Sequence, residues 1–139
     1  MDLERFADAQ EDSYEQALLE IKSGQKRSHW MWYIFPQIEG LGHSAAALHY
    51  SIRSLAEAKA YLEHPVLGPR LIICVEALLN LENRSANDIF GLLDAKKLRS
   101  SATLFAAASP GESTFQQLLS KYFRGEHDPA TLRLLKSHR

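Results

Sequence analysis

Apolar residues recur at intervals of three and four along most of this chain, and no stretch alternates apolar with polar residues at a period of two. Tyr14, Ala17, Leu18 and Ile21 form one such stripe, and another begins at Phe115. Because this spacing places apolar side chains on one face of a helix, it predicts an all-α fold. The chain has no linker, repeat or low-complexity tract. Residues 1–139 are therefore expected to form one compact domain of seven to nine short helices.

Helix boundaries are predicted from residues that favour helix starts and ends. Serine and aspartate before an apolar stripe indicate a start, whereas glycine and proline indicate an end. Ser13 with Gln16 has the spacing of a capping box. The helix that begins at Gly68 and Pro69 is expected to be the longest. The predicted helices cover residues 13–22, 44–53, 54–63, 69–81, 85–91, 95–108 and 112–123, with an aromatic helix before Pro36 and a last helix from Asp128.

Length and composition exclude several classes of function. The 139 residues carry a net charge of −1, which argues against nucleic acid as the main partner. No apolar run approaches the ~20 residues that span a bilayer. The acidic N-terminus lacks a signal peptide, so we expect a cytoplasmic protein with no membrane partner. The single Cys74 excludes an internal disulfide. No two histidines have the i, i+4 spacing of helical metal ligands, so neither metal nor cofactor is predicted.

The most aromatic segment of the chain lies before Pro36 and contains both tryptophans, Trp30 and Trp32. The helix that carries them is apolar on every side, which favours a buried, central position. Indole rings can also stack on a nucleotide base. Since successive helical residues are about 100° apart, the two rings should point to different sides. At most one of them can therefore contact a ligand.

A glycine-containing loop, Gly40-Leu41-Gly42-His43-Ser44, leads into the helix that Ser44 is predicted to cap. Free amides at a helix N-terminus favour an anion, and glycine allows a phosphate to approach the backbone closely. The alternative is that Gly40 and Gly42 only provide the backbone angles of a tight connection. The loop has neither the lysine of a Walker A motif nor the strand of a dinucleotide fold.

Polar residues cluster on the helix expected to follow Asp94. Leu98, Ala102 and Phe105 mark its core-facing stripe, and helical geometry places Asp94 and Ser101 along the same stripe. Lys97 lies about 60° to one side of it. Charges directed towards a core must be paired, so the cluster indicates a polar site. The alternative is that Asp94 is a simple N-cap and Lys97 extends into solvent.

Short motifs along the chain are familiar from one bacterial family. The longest is Ser-His-Trp-Met-Trp-Tyr-Ile-Phe-Pro-Gln at residues 28–37, followed by Gly-Leu-Gly at 40–42 and Ser44. With these motifs the chain resembles, over almost its whole length, the family catalogued as domain of unknown function 1810. Further matching motifs are Glu57-Ala58, Tyr61-Leu62, His64-Pro65, Leu67-Gly68, Arg70-Leu71, Ile89-Phe90-Gly91, Asp94, Lys97-Leu98, Ser100-Ser101 and Thr103-Leu104-Phe105.

The resemblance implies an all-helical fold and supplies no activity. Some members carry the label calpastatin, but nothing in this sequence looks like a protease inhibitor of that kind. The family is also distantly similar to the helical NADAR domains, which are linked to ADP-ribose and to N-glycosidic chemistry. That similarity is one of fold, and a fold does not determine a function.

Two functions of different classes remain. In the first, the chain binds a phosphate-bearing small molecule, such as a nucleotide or an ADP-ribose derivative. As an enzyme it would cleave an N-glycosidic bond, with Asp94 as base or as stabiliser of an oxocarbenium-like centre and Lys97 beside it. In the second, the chain is a non-catalytic protein-interaction module with an exposed apolar patch. The first requires one pocket to unite its ligand-binding residues, which would be Trp30 or Trp32, Gly40, Gly42, Ser44, Arg70 and Ser101.

Overall fold

The computed structural model describes residues 2–111 and 113–137. Within those residues the chain forms nine helices and no strand, so the predicted all-α fold is confirmed. None of the helices found there has the length and apolar character needed to cross a membrane. The helices are α1 (Glu4–Glu11), α2 (Tyr14–Ser23), α3 (Met31–Ile34), α4 (Ala45–His49), α5 (Leu55–Glu63), α6 (Leu67–Asn80), α7 (Ala86–Ala108), α8 (Thr114–Phe123) and α9 (Pro129–Ser137).

The first helix, α1, was not predicted from the sequence. Leu3 precedes it without a capping side chain, so the usual signal of a helix start is missing. The helix is held by its buried face instead, where Phe6 is fully buried and Gln10 donates a hydrogen bond to the hydroxyl of Tyr61.

The longest helix is α7, and not α6 as predicted. It is interrupted at Gly91, which has φ 79° and ψ 166° and separates a short first part from residues 92–108. The predicted end of a helix at Gly91 is confirmed, as is the capping box between Ser85 and Asp88. The prediction that Asp94 is an N-cap is wrong, because the helix resumes directly after Gly91 and Asp94 lies inside it.

The core is built around the second part of α7, which packs against α5, α8 and α9. Leu98, Ala102 and Phe105 are buried, which confirms the predicted core-facing stripe. The Phe105 ring lies 5.3 Å from that of Tyr61 on α5 and 5.5 Å from that of Phe115 on α8. The predicted start of α8 at Glu112 lies outside the described residues; the helix is described from Thr114, with Ser113 as its N-cap.

The predicted Ser13–Gln16 capping box at the start of α2 is absent, and Glu20 near the end of the same helix organises the segment that follows. Gln16 donates its side-chain hydrogen bond to Glu20, so that capping box does not form. The Glu20 carboxylate is 2% exposed and also accepts hydrogen bonds from Arg27 N, from Ser28 N and Oγ, and from the indole of Trp30. Burial alone would raise the pKa of Glu20, but these hydrogen bonds lower it to about 2.

The aromatic helix is a single turn, α3, and the helix predicted for residues 44–53 ends early as α4. The cause of the early end is a bridge between Ile38 and Ile52. Ile52 N donates to Gln37 O at 2.8 Å, and Glu39 N donates to Ile52 O at 2.8 Å. These bonds need extended backbone near Ile52, so α4 ends before that residue. They also close residues 37–52 into a loop that contains α4.

Candidate functional site

A cavity of about 410 Å³ lies between this closed loop and the helices α7 and α9. Small-molecule sites commonly have volumes of roughly 300–1,000 Å³, so its size suits a small ligand. Trp32 forms part of its wall. The other lining residues are Gln37, Ile38, Gly40, Leu41, Gly42, His43, Ser44, Ala47, Tyr50 and Ser51 from the loop, Lys96, Lys97 and Ser100 from α7, and Asp128 and Ala130 from the start of α9.

The two tryptophans have different environments, as predicted, but not because of helical spacing: Trp30 is the non-helical N-cap of α3, and only Trp32 lies in the helix. Trp30 is 1% exposed, and its indole N–H donates to Glu20 Oε1 at 2.9 Å, so it belongs to the core. Trp32 is half-buried and lines the cavity. Within the described part of the chain, nothing accepts a hydrogen bond from its indole N–H. Trp32 therefore offers a ring face and an unused donor.

Lys97 lies against Trp32 and is held from behind by Asp94. The Lys97 ammonium is 4.5 Å from the centre of a Trp32 ring and 3.2 Å from Asp94 Oδ1. The other carboxylate oxygen, Asp94 Oδ2, is 2.9 Å from Lys26 Nζ, which in turn lies 5.1 Å from a Trp30 ring centre. Two cations thus share one carboxylate, and the group keeps a net positive charge at the cavity wall.

Asp94 does not line the cavity, and both of its oxygens are taken by ammonium groups. Partial burial acts to raise its pKa, but the hydrogen bonds and charges of Lys26 and Lys97 outweigh burial and hold the pKa below its usual value. A carboxylate with a lowered pKa and two cationic partners is a weak base. Its evident effect is to orient Lys97.

The glycine loop contributes backbone to the cavity, but not through a helix dipole. The helix α4 has only five residues, and Ser44 Oγ already accepts a hydrogen bond from Ala47 N at 3.1 Å. No acceptor among residues 2–111 and 113–137 is bonded to the main-chain N–H of residues 40–43. These N–H groups therefore lack an acceptor in that part of the chain, and the four residues that carry them line the cavity.

Glycine is required at the two positions of the loop for different structural reasons. Gly40 has φ +109°, a left-handed conformation that favours glycine, and a Cβ there would lie 3.0 Å from Leu134 Cδ2 on α9. Gly42 does not have a positive φ; a Cβ there would lie 2.9 Å from the Cβ of Ala47. Gly42 therefore allows the loop to pack closely on α4.

Four of the nine residues predicted for the site lie outside the cavity wall. Besides Trp30 and Asp94, these are Arg70, whose guanidinium stacks on Tyr14 at 4.8 Å, and Ser101, which is 1% exposed on the buried face of α7. The five that the structure brings together are Trp32, Gly40, Gly42, Ser44 and Lys97.

Sequence reasoning missed Lys96 and Asp128 as residues of the cavity. Asp128 was predicted only to begin the last helix, which it does: its Oδ2 accepts from Thr131 N at 3.1 Å. The same oxygen accepts from Thr131 Oγ1 and, at 3.0 Å, from Ser100 Oγ on α7. The sequence carries a signal for the cap but none for the bond to Ser100, because those residues are 28 positions apart.

In the part of the chain described, no cluster of histidine, cysteine or acidic residues could hold a metal ion.

Comparisons with known proteins identify a family and a solved structure that are similar to this chain. The family model described as "Protein of unknown function (DUF1810)" matches residues 1–135. Among solved structures, the conserved hypothetical protein Rv1873 from Mycobacterium tuberculosis is similar, with 47% sequence identity and a TM-score of 0.95 over 97% of this chain and 96% of that one. No curated protein matches the chain.

Proposed function

We propose that the cavity of this chain, which belongs to the DUF1810 family, binds a phosphate-bearing small molecule, such as a nucleotide or an ADP-ribose derivative. The description of the family states no activity, so the proposal depends on the side chains of the cavity. One observation carries the proposal: the Lys97 ammonium is fixed between Asp94 and the Trp32 ring at the wall of a cavity of ligand size.

The electrostatics of the wall favour a phosphate. Lys97 is joined by Lys96, which has no carboxylate partner among the described residues. The amides of residues 40–43 add uncharged hydrogen-bond donors. These donors can bind phosphate oxygens together with the lysines. Since the whole chain has a net charge of −1, attraction for an anion is local to this wall.

The indole supports a nucleotide more than a bare phosphate. Trp32 is only half-buried, and its ring can stack on a base, as aromatic side chains do in proteins that bind single strands. Lys97 restrains the ring by its contact at 4.5 Å. A ligand with a planar group and a phosphate would therefore use both residues at once.

Asp94 enters the proposal as a positioning residue for Lys97. Removal of Asp94 would leave Lys26 and Lys97 facing each other without a counter-ion, so Lys97 would move away from Lys26. Cleavage of an N-glycosidic bond needs a carboxylate that reaches the ligand, and among the described residues of the cavity wall Asp128 is the one that has a carboxylate. The binding proposal is independent of any such cleavage.

The experiment is a titration with pyrophosphate and ADP-ribose, followed by tryptophan fluorescence and by calorimetry. ADP-ribose should change the fluorescence of the wild-type protein. The Trp32→Phe variant keeps Trp30 as its single tryptophan, buried on Glu20, and its fluorescence should not respond. Stabilisation against heat should accompany binding. If neither compound binds at millimolar concentration, the proposal is wrong.

A second candidate, a non-catalytic protein-interaction module, is favoured by one separate observation. Leu92 and Leu93 follow the break at Gly91 and are 62% and 72% exposed. Two adjacent exposed leucines are a small apolar surface of the kind that partners cover. Replacing both with serine should abolish binding to such a partner and leave the binding of pyrophosphate unchanged, which separates the two candidates.

A further inference from the structure

We propose that Asp128 is the sugar-recognition residue of this cavity, accepting hydrogen bonds from vicinal hydroxyl groups of the ligand, as in a ribose. This inference rests on the proposed function, since the same ligand would place its phosphate on Lys96 and Lys97. The phosphate is the charged part of such a ligand. The inference concerns where in the cavity its neutral, hydroxyl-bearing part would bind.

The Asp128 carboxylate is anchored by one oxygen only. Its Oδ2 accepts hydrogen bonds from Ser100 Oγ at 3.0 Å and from both N and Oγ1 of Thr131. The main-chain N of Asp128 is also fixed, because it donates to Thr103 Oγ1 at 2.9 Å. These bonds connect the start of α9 to the middle of α7 and hold the carboxylate at its Oδ2 atom.

The second oxygen, Oδ1, is free to accept. No residue in the described ranges donates a hydrogen bond to it. Among the described residues, the one buried side-chain oxygen or nitrogen without a hydrogen-bond partner is Gln10 Oε1. Asp128 Oδ1 also has no partner there, so it is not buried and is accessible to solvent. Asp128 belongs to the cavity wall. A fixed carboxylate with one open oxygen is a preorganised acceptor.

The neighbouring charges select a hydroxyl group as its partner. Ser100, which bonds to Asp128, follows Lys96 and Lys97 by four and three residues on α7, and such side chains are about 5–6 Å apart at their Cβ atoms. A cationic ligand group at Oδ1 would be repelled by the two lysines, and a phosphate would be repelled by the carboxylate itself. A neutral donor suffers neither repulsion.

The spatial order of these groups describes a class of ligand. Cations and free amides lie beside a hydroxyl acceptor, and the Trp32 ring completes the wall. A phosphorylated ribose attached to a planar base has these three groups in the same molecule. A vicinal diol can give one oxygen two hydrogen bonds, and bonds to a charged acceptor are stronger than bonds between neutral groups.

The test compares three probes by calorimetry: pyrophosphate, ADP and 2′,3′-dideoxy-ADP. The wild-type protein should bind ADP at least about tenfold more tightly than the dideoxy compound, because the latter leaves Oδ1 without its donors. Pyrophosphate should bind through Lys96, Lys97 and the loop amides, without Asp128. Equal affinities for ADP and its dideoxy analogue would overturn the sugar proposal and leave phosphate binding intact. Failure of all three to bind would overturn the proposed function and this inference with it.

Two variants test the residue without removing the helix cap. In Asp128→Asn, the amide oxygen can keep the bonds from Ser100 and Thr131 while the amide nitrogen replaces Oδ1; in Asp128→Ser, a capping hydroxyl remains but does not reach the ligand. In both, the ratio between ADP and the dideoxy analogue should fall to below about threefold, and the affinity for pyrophosphate should stay the same or rise. A ratio unchanged from wild type in both variants would contradict the proposal.

Discussion

At the scale of single residues, Lys97 lies on the cavity wall and is expected to contribute little to stability. Its side chain is 29% exposed, and its partner Asp94 also contacts Lys26. When Lys97 is removed, Asp94 therefore keeps a cation and is not left as an unpaired charge. This differs from a fully buried pair, in which the loss of one partner costs about 3–5 kcal/mol.

We therefore expect Lys97→Met to reduce the free energy of unfolding by about 1 kcal/mol or less and to weaken pyrophosphate binding at least about tenfold. Urea denaturation and calorimetry on the same preparation measure the two effects. Lys22→Met is the matched control, since Lys22 is exposed on α2 and does not line the cavity. A loss of several kcal/mol with unchanged affinity would make Lys97 a structural residue.

At the scale of elements, competition between hydrogen-bond partners decides which local signals are used. Ser13 and Gln16 have capping spacing, yet Ser13 Oγ accepts a hydrogen bond from the Tyr33 hydroxyl at 3.0 Å and Gln16 bonds to Glu20. The Glu20 carboxylate gathers the donors of the segment between α2 and α3. That segment carries Lys26, so Glu20 indirectly positions the lysine that neutralises Asp94.

Glu20 should give the protein a specific sensitivity to acid. Its pKa is about 2 in the folded chain and 4.5 in an ordinary glutamate, so the unfolded chain binds more protons between these values. The stabilisation is therefore complete above pH 4.5 and is lost as the pH falls towards 2.

The Glu20→Gln variant tests this role. It should lower the free energy of unfolding at pH 7 by about 2–4 kcal/mol, because buried donors lose a charged acceptor. Its stability should also vary less with pH between 4.5 and 2 than that of the wild type, which urea denaturation at several pH values would measure. Parallel pH curves for the two proteins would exclude Glu20 as the cause of the acid sensitivity.

The contact between the glycine loop and α4 offers a matched pair of substitutions. Gly42→Ala should destabilise the protein by about 1–3 kcal/mol, because the new methyl group would lie 2.9 Å from the Cβ of Ala47. Ala47→Gly removes that methyl group at a cost of about 1 kcal/mol for glycine in a helix. The double variant should be more stable than the sum of the two single effects predicts, as measured by thermal denaturation. Strict additivity would show that the two residues do not interact.

At the scale of the whole molecule, a net charge of −1 means that the proposed anion binding would depend on a few local cations. Pyrophosphate affinity should therefore fall several-fold when NaCl is raised from about 0.05 M to about 0.5 M, because salt screens exposed charges. The half-buried pairs around Asp94 are screened less, so the free energy of unfolding should change little over the same range. An affinity that does not depend on salt would exclude the lysines as its source.

The sequence by itself determined the all-α fold, the break at Gly91, the cap at Ser44 and the buried stripe of Leu98, Ala102 and Phe105. Each of these depends on a signal contained within a few consecutive residues. Helical spacing also predicted different environments for the two tryptophans, which the structure shows, although Trp30 is the non-helical N-cap of α3 and not part of the helix. It could not determine that Trp32 is the one in the cavity, because a helix that is apolar on every side does not specify which face other elements cover.

Tertiary structure alone decided which polar groups meet. Lys26 contacts Asp94, 68 positions away in the sequence, and Ser100 contacts Asp128, 28 positions away. No periodic pattern in the sequence predicts either contact. The bridge between Ile38 and Ile52 likewise ended α4 early and closed the loop that forms one wall of the cavity. The physical reason is the same in each case: the packing of distant helices sets these distances, whereas helix propensity and capping act only between near neighbours.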